Sequence, residues 1–268
     1  MSATPAVTHP AAPSRQQRRR LRAEVLIVLG LSLGQSAVYA AMRLLQRYLA
    51  APPIGSQSTT LNPSRHGIPY MDLTYQLLGI GFGLVPVALA LYLLSSHGES
   101  ARARLGLTGR GRRWGRDIAL GAALATCIGL PGLGLYAFGR AIGQSVRIDT
   151  SGLPEAWWAS TVLLLSAAAA AVLEEIVVVG YLLTRLEQLG WRTPAAIAAS
   201  ALLRGSYHLY QGWPMALGNA VMGVVFAYVF MRWRRVGPLI AAHFLMDLVS
   251  FVGPELAPQS WLDGLNGV

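Results

Sequence analysis

The sequence contains no lysine and one cysteine, and acidic side chains are scarce: 12 Asp and Glu stand against 22 arginines in 268 residues. A lone thiol, Cys127, makes neither a disulfide framework nor a cysteine metal cluster. It reads as a small packing residue in an apolar segment, and any metal has to be held by His and carboxylate. Charged residues make up 13% of the chain and hydrophobic ones 53%, whereas a soluble domain carries about 25% charge. The deficit points to a polytopic membrane protein. The net charge of +10 does not indicate nucleic acid, because the arginines fall in short clusters between apolar runs, with no basic face interleaved with aromatics. Exclusive use of arginine, with the load of Ala and Gly, suggests a GC-rich bacterial genome. There is no internal repeat and no matching pair of Gly/Pro-broken helices, which argues against a proton-coupled transporter.

Residues 1–22 are rich in Ala, Pro, Ser and Thr and end in Arg15, Arg18, Arg19, Arg20 and Arg22. Such a segment buries too little apolar surface to fold and is expected to be a disordered cytoplasmic tail. Val25 to Leu45 is long enough for an uncleaved first transmembrane helix rather than a signal peptide. Met71 to Leu94 forms a second, and Gly30/Gly34 and Gly79/Gly83 give both small-xxx-small faces suited to close packing. Gly79-Ile-Gly81-Phe-Gly83 lacks the spacing and preceding strand of a phosphate loop. Arg102, Arg104, Arg110, Arg112, Arg113 and Arg116 mark a cytoplasmic loop. A third helix from Asp117 to Phe138 is expected to kink near Pro131. Helices follow at Ala159 to Arg185, Pro194 to Tyr210, Pro214 to Phe230 and Gly237 to Val252. The prediction is an all-α membrane bundle of seven to eight transmembrane helices around a polar catalytic cavity, multi-pass in the cell membrane, with the N-terminus cytoplasmic. Its parts are the tail 1–22, N-terminal transmembrane helices at 23–153, a core at 154–253 and a tail at 254–268.

Glu174 and Glu175 sit side by side inside an apolar run long enough to cross a bilayer. An ionised side chain at membrane depth costs about 2.5–3.5 kcal/mol on insertion scales, so it faces a protein interior or wet cavity with partners. Two later apolar segments supply candidates, Arg204 with His208 and His243 with Asp247, each pair four residues apart and on one helical face. Helical rise places Glu175 about 15 Å from Arg185, His208 about 21 Å from Pro194, and His243 and Asp247 about 9 and 15 Å from Gly237. Four groups from three helices thus converge near mid-bilayer. Asn219 reads as an interhelical hydrogen-bonding residue. The set suits hydrolysis in two ways that the residues leave open. A carboxylate can act as general base for water while His and Asp donate to an oxyanion, or two His and a carboxylate can hold zinc with one position for water.

These motifs resemble the CPBP intramembrane proteases, the family of the type II CAAX prenyl endopeptidase and of Abi-like, bacteriocin-immunity-type membrane proteins. That family carries Glu-Glu-x-x-x-Arg, then Phe-x-x-x-His, then His-x-x-x-Asn or Asp on successive core helices. Glu174-Glu175 match the first, His208 the second, and His243 with Asp247 the third, over about residues 155–252. The resemblance implies an intramembrane endopeptidase acting on a membrane-associated peptide or protein. Glu174 would activate water, Glu175 would be the ion-paired structural carboxylate, and His208, His243 and Asp247 would hold a metal or the oxyanion. Val179 stands where the family has Arg, and Arg204 where it has Phe. The expectation is an exchange in which Arg204 reaches the glutamates from the next helix, so that Val179→Arg partly rescues a loss of Arg204. The lost motif arginine favours the alternative, a non-catalytic membrane scaffold or immunity-type protein on the same fold.

Overall fold

In the computed structural model, residues 13–95, 100–107, 114–149 and 152–256 are described. Arg110, Arg112 and Arg113 of the predicted cytoplasmic loop, and residues 257–268 of the C-terminal tail, lie outside them. The first helix, α1 (Arg15–Gly30), begins inside the segment expected to be disordered. Ser14 caps it: its Oγ accepts from Gln17 N, and Gln17 Oε1 accepts from Ser14 N, so two backbone donors that a helix start leaves open are satisfied. Residues 15–22 are therefore helical, and residues 1–12 lie outside the described part. The expected first transmembrane helix is a broken pair, α1 and α2 (Leu33–Leu49), bent by 52° across Leu31–Ser32.

A short strand β1 (Ser58–Thr60) leads to α3 (Pro69–Gly83), which continues as α4 (Val85–Ser95). After α5 (Ala101–Arg104), the long α6 (Trp114–Ala141) runs through Pro131 as one helix and is followed by β2 (Arg147–Asp149). β1 and β2 pair in parallel, Ser58 opposite Arg147, and a bridge from Pro63 to Gly152 extends the pairing. The chain segments entering α3 and the next helix, α7 (Ala159–Glu174), are thus tied together at one end of the bundle. A seven-residue π-helical segment (Glu175–Tyr181) carries α7 into α8 (Leu182–Gln188). Then come α9 (Thr193–Tyr207), a 3-10 turn (Leu209–Gln211), α10 (Trp213–Trp233) and α11 (Gly237–Leu256).

The all-α bundle stands, with the two short strands as its one addition among the described residues. Length and composition alone give four to five candidate spans among the described residues, beside the seven to eight helices predicted. Among the described residues, four helices are long and apolar enough to span a membrane: Pro69–Ser95, Trp114–Ala141, Ala159–Gln188 and Trp213–Trp233, with a fifth if the bent α1–α2 pair counts as one. The 15 residues of α9 rise only about 22 Å against a hydrocarbon thickness of about 30 Å. The apolar part of α11, Gly237–Phe251, is also short. These two shorter helices carry Arg204 and His243, and both residues are buried.

The π segment is the hub of the core, with all seven of its residues buried, and Val177, Val179 and Tyr181 pack with Phe226, Phe230 and Leu239. Close helix approach occurs where α9 meets α10, at Gly205 against Ala216 and Ala220 and at Gly223 against Ala201, and where Gly121 of α6 meets Pro238 and Ala241 of α11. The predicted faces do not serve this purpose. A Cβ at Gly30 or Gly83 would meet nothing within 4 Å, and one at Gly34 would meet Leu29 at the bend of its own chain. Cys127 is exposed on α6 rather than packed. Asn219 donates to Met215 O within its own helix rather than to a neighbour.

Arg185, the last residue of the helix predicted from Ala159, is buried at 1% side-chain exposure and pairs with Glu24 of α1 at 3.1 Å. It also donates to Leu93 O and Gln188 Oε1 and lies over the ring of Tyr181. On the same end Arg234 pairs with Glu187, and Arg235 with Asp117. Removing one partner of a buried ion pair leaves an uncompensated charge, at a cost of about 3–5 kcal/mol. Glu24→Gln is therefore expected to lower the thermal unfolding midpoint in detergent, and Glu24→Gln with Arg185→Met to recover most of the loss. Equal midpoints for wild type and Glu24→Gln would mean that this pair does not hold α1 to the core.

Candidate active site

Glu174 ends α7 and Glu175 opens the π segment. Neighbouring residues on a helix point about 100° apart, so one neutralising group has to reach both carboxylates from outside. Arg204 of α9 does this with its fork: Nη1 donates to Glu174 Oε2 at 3.2 Å, and Nη2 to Glu175 Oε1 at 2.6 Å. Arg204 and Glu175 are both fully buried, and Phe226 lies 5.3 Å beneath the guanidinium. Charge-assisted bonds in such a site are stronger than neutral ones, and here they satisfy the fully buried charges of Arg204 and Glu175.

His243 completes the group from α11. Its Nδ1 lies 2.8 Å from Glu175 Oε1, which leaves Nε2 directed towards Glu174 Oε2 at 3.9 Å and Asp247 Oδ2 at 3.6 Å. Glu174 keeps 12% side-chain exposure, against none for Glu175. The more accessible carboxylate is thus the one that the resemblance makes the base. Tyr207, which the motifs did not single out, donates its hydroxyl to Glu174 Oε2 at 2.6 Å. Its position three residues after Arg204, on the same helical face, is the signal that was available.

Of the predicted site residues, Glu174, Glu175, Arg204 and His243 form one contiguous network, and Asp247 joins it through His243. His208 does not reach the carboxylates by any hydrogen bond or ion pair. α9 ends at Tyr207, His208 adopts the cap conformation (φ −99°, ψ 0°), and its Nδ1 lies 3.0 Å from Arg204 O. Its ring packs beside that of Tyr207, with centroids 4.8 Å apart.

The predicted metal set of His208, His243 and Asp247 is accordingly not the one brought together. Among the described residues, the group whose ligating atoms lie within 4.8 Å of one another is Glu174, Glu175 and His243. That spacing, two carboxylates with an imidazole, and the buried Glu175 Oε2 that has no hydrogen-bond partner together fit a single cation. Arg204 already supplies one positive charge to the same carboxylates.

Val179 is fully buried in the main apolar core, whereas Val178 packs with Tyr207 and Leu173 beside the carboxylates. The wider π turn takes position 179 off the face that an arginine one α-turn beyond Glu175 would occupy. Arg204→Leu should therefore destabilise the fold by about 3–5 kcal/mol, the cost of stranding buried carboxylates. Adding Glu175→Gln should recover part of that, and adding Val179→Arg should not. Recovery of the melting temperature by Val179→Arg would reinstate the simple exchange read from the motifs.

No curated protein and no solved structure matches the chain. Residues 156–249, which hold every residue of this network, match the family model of the type II CAAX prenyl endopeptidase Rce1-like proteins, within the CPBP family that the three motifs resemble.

Proposed function

We propose that the protein is an intramembrane endopeptidase that hydrolyses a peptide bond of a membrane-associated peptide or protein with water activated by Glu174. The observation that carries this reading is the unequal pair of carboxylates: Glu175 is fully buried and locked between Arg204 and His243, while Glu174 is held by one oxygen and keeps an exposed edge. A general base needs a fixed carboxylate that water and substrate can reach. Glu174 meets that need, and Glu175 serves as the structural partner.

Arg204 Nη1 and the Tyr207 hydroxyl both engage Glu174 Oε2, so its Oε1 is the oxygen left to take a proton. Water loses that proton to Oε1, attacks the scissile carbonyl carbon, and the C=O electron pair moves onto oxygen. His243 contacts Glu175 through Nδ1 and stands with Nε2 3.9 Å from Glu174 Oε2, and as the imidazolium it donates from Nε2 to the developing oxyanion. Collapse of the intermediate returns the electron pair, breaks the C–N bond and passes the proton from Glu174 to the leaving amine. A zinc ion held by Glu174, Glu175 and His243 would add Lewis-acid polarisation of that carbonyl. The missing motif arginine, which favoured a non-catalytic scaffold, loses weight because Arg204 provides the guanidinium.

In the cell the reading places the chain in the bacterial cell membrane, with the arginine-rich ends of α1 and α10 on the cytoplasmic side. The test is Glu174→Gln, which keeps shape and hydrogen bonding but removes the base. Cleavage of a membrane-peptide library should fall by at least about 100-fold, the scale of general-base catalysis, with the thermal midpoint unchanged. Undiminished cleavage by the variant would refute the assignment. Elemental analysis of wild type beside His243→Ala decides the metal: near-stoichiometric zinc lost in the variant supports a metal site, and cleavage that persists after chelation with no bound zinc supports the metal-free route.

A further inference from the structure

The glycines at 79 and 83, predicted to seat a neighbouring helix, leave a furrow instead. Gln76, Gly79 and Gly83 line one face of α3, and Ser166, Ala169 and Leu173 line the facing side of α7, around a cavity of about 220 Å³. Both stripes follow helical spacing. Nothing lies within 4 Å of where a Cβ at Gly83 would sit, and the nearest atoms to one at Gly79 are those of the Arg65 guanidinium, Nη1 at 2.6 Å. Small residues here admit an arginine rather than a helix.

Arg65 is brought there by a built loop. Asp72, fully buried in the first turn of α3, accepts from Ser64 Oγ, Arg65 N and Gln76 Nε2, and Gln76 Nε2 also donates to Pro63 O. Asp72 thus binds the backbone of Arg65 and not its side chain. Among the described residues no carboxylate lies within ion-pair distance of that guanidinium. Gly79 stands about 15 Å from the Pro69 end and about 24 Å from the Ser95 end of a 27-residue span, within a hydrocarbon layer of about 30 Å. An unpaired guanidinium at that level is costly. It is held in place beside an open furrow whose far end, Leu173, precedes Glu174.

We infer that this furrow is a substrate subsite and that Arg65 binds a carboxylate of the peptide, either its C-terminus or an Asp or Glu side chain. The inference rests on the endopeptidase reading. A carboxylate cannot approach the catalytic residues unaided, because Glu174, Glu175 and Asp247 already outnumber Arg204. A cation displaced along α7 from Glu174 holds that charge away from the base while the chain beyond it lies over the carboxylate. A phospholipid phosphate is the competing anion, and it belongs at the membrane surface rather than beside Leu173.

Binding tests this without requiring cleavage. The Glu174→Gln protein in uncharged detergent is titrated into three dansylated octapeptides of alternating Leu and Ala, and fluorescence anisotropy is read. One peptide has a free C-terminus, one a C-terminal amide, and one a C-terminal amide with an internal Glu. At least one carboxylate-bearing peptide should bind about tenfold or more tightly than the neutral one, the worth of a charge-assisted hydrogen bond, and which one does so identifies the source of the carboxylate. Arg65→Leu, whose side chain makes no hydrogen bond within the described residues, should abolish the preference without changing the melting temperature, and Arg65→Lys should retain part of it. Gly79→Val, which fills the resting place of the guanidinium while preserving its charge, should also abolish it. Equal binding of the three peptides, no binding of any, a preference that survives Arg65→Leu, or loss of the preference on adding phosphatidylglycerol would each overturn the assignment. Failure of the catalytic reading would show separately, as undiminished cleavage by Glu174→Gln.

Discussion

The guanidinium fork of Arg204 is the constraint on which the rest of the core depends. Two adjacent carboxylates inside an apolar helix cannot both remain ionised without a cation that touches each, and Arg204 does so with one nitrogen apiece. Several features of the neighbouring helices follow from bringing it there. Gly205, the next residue, lets α9 close onto Ala216 of α10, and Gly223 leaves room for Ala201 and for the Arg204 stem. Phe226 supplies an aromatic face beneath the guanidinium, an arrangement that favours Arg over Lys. The 15 residues of α9 deliver Arg204 into the interior near the helix's C-terminal end.

The π segment serves the same end from the other side. It starts at Glu175, and its wider turn distributes the following residues between two environments: Val178 faces Tyr207 and Leu173, while Val179 enters the main core. A regular α-helix would have stacked position 179 over Glu175 and given an arginine there access to the pair. With the turn widened, that route closes, and a guanidinium from α9 is the geometric alternative. π turns concentrate at functional sites because they re-aim side chains without ending the helix, and here the re-aimed residue is a buried carboxylate.

Much of this was legible in the sequence because charge inside an apolar run has few explanations. Glu174, Glu175, Arg204 and His243 stand out by cost alone, and the agreement in depth of Glu175, His208, His243 and Asp247 predicts one cluster, of which Glu175, His243 and Asp247 meet and His208 does not. What escaped the reading depends on where elements stop and on what faces them. His208 was placed on a helical face, but α9 ends one residue earlier, and the imidazole turns back to Arg204 O. Tyr207 belongs to none of the motifs, and its sequence position alone does not show that its hydroxyl meets Glu174. Gly79 and Gly83 have the spacing of a helix-packing face, and spacing cannot distinguish a neighbour from a furrow. The helical start at Arg15 rests on a local cap and on Glu24, whose partner Arg185 lies 161 positions away in sequence.

The two arginines at the site's margin differ in the way that their tasks require. Arg204 has no exposed side-chain surface, and both of its terminal nitrogens are committed to Glu174 and Glu175. It holds the two carboxylates in place and is not accessible to an incoming chain. Arg65 is exposed, carries no counter-charge among the described residues, and owes its position to backbone bonds with Asp72. On the endopeptidase reading, Glu174, Glu175 and Asp247 outnumber Arg204 in charge, and an anionic substrate is repelled unless a second cation stands apart from the first. Burial separates the two roles under that reading: the enclosed arginine fixes the carboxylate pair, and the open one stands beside the furrow proposed for the substrate.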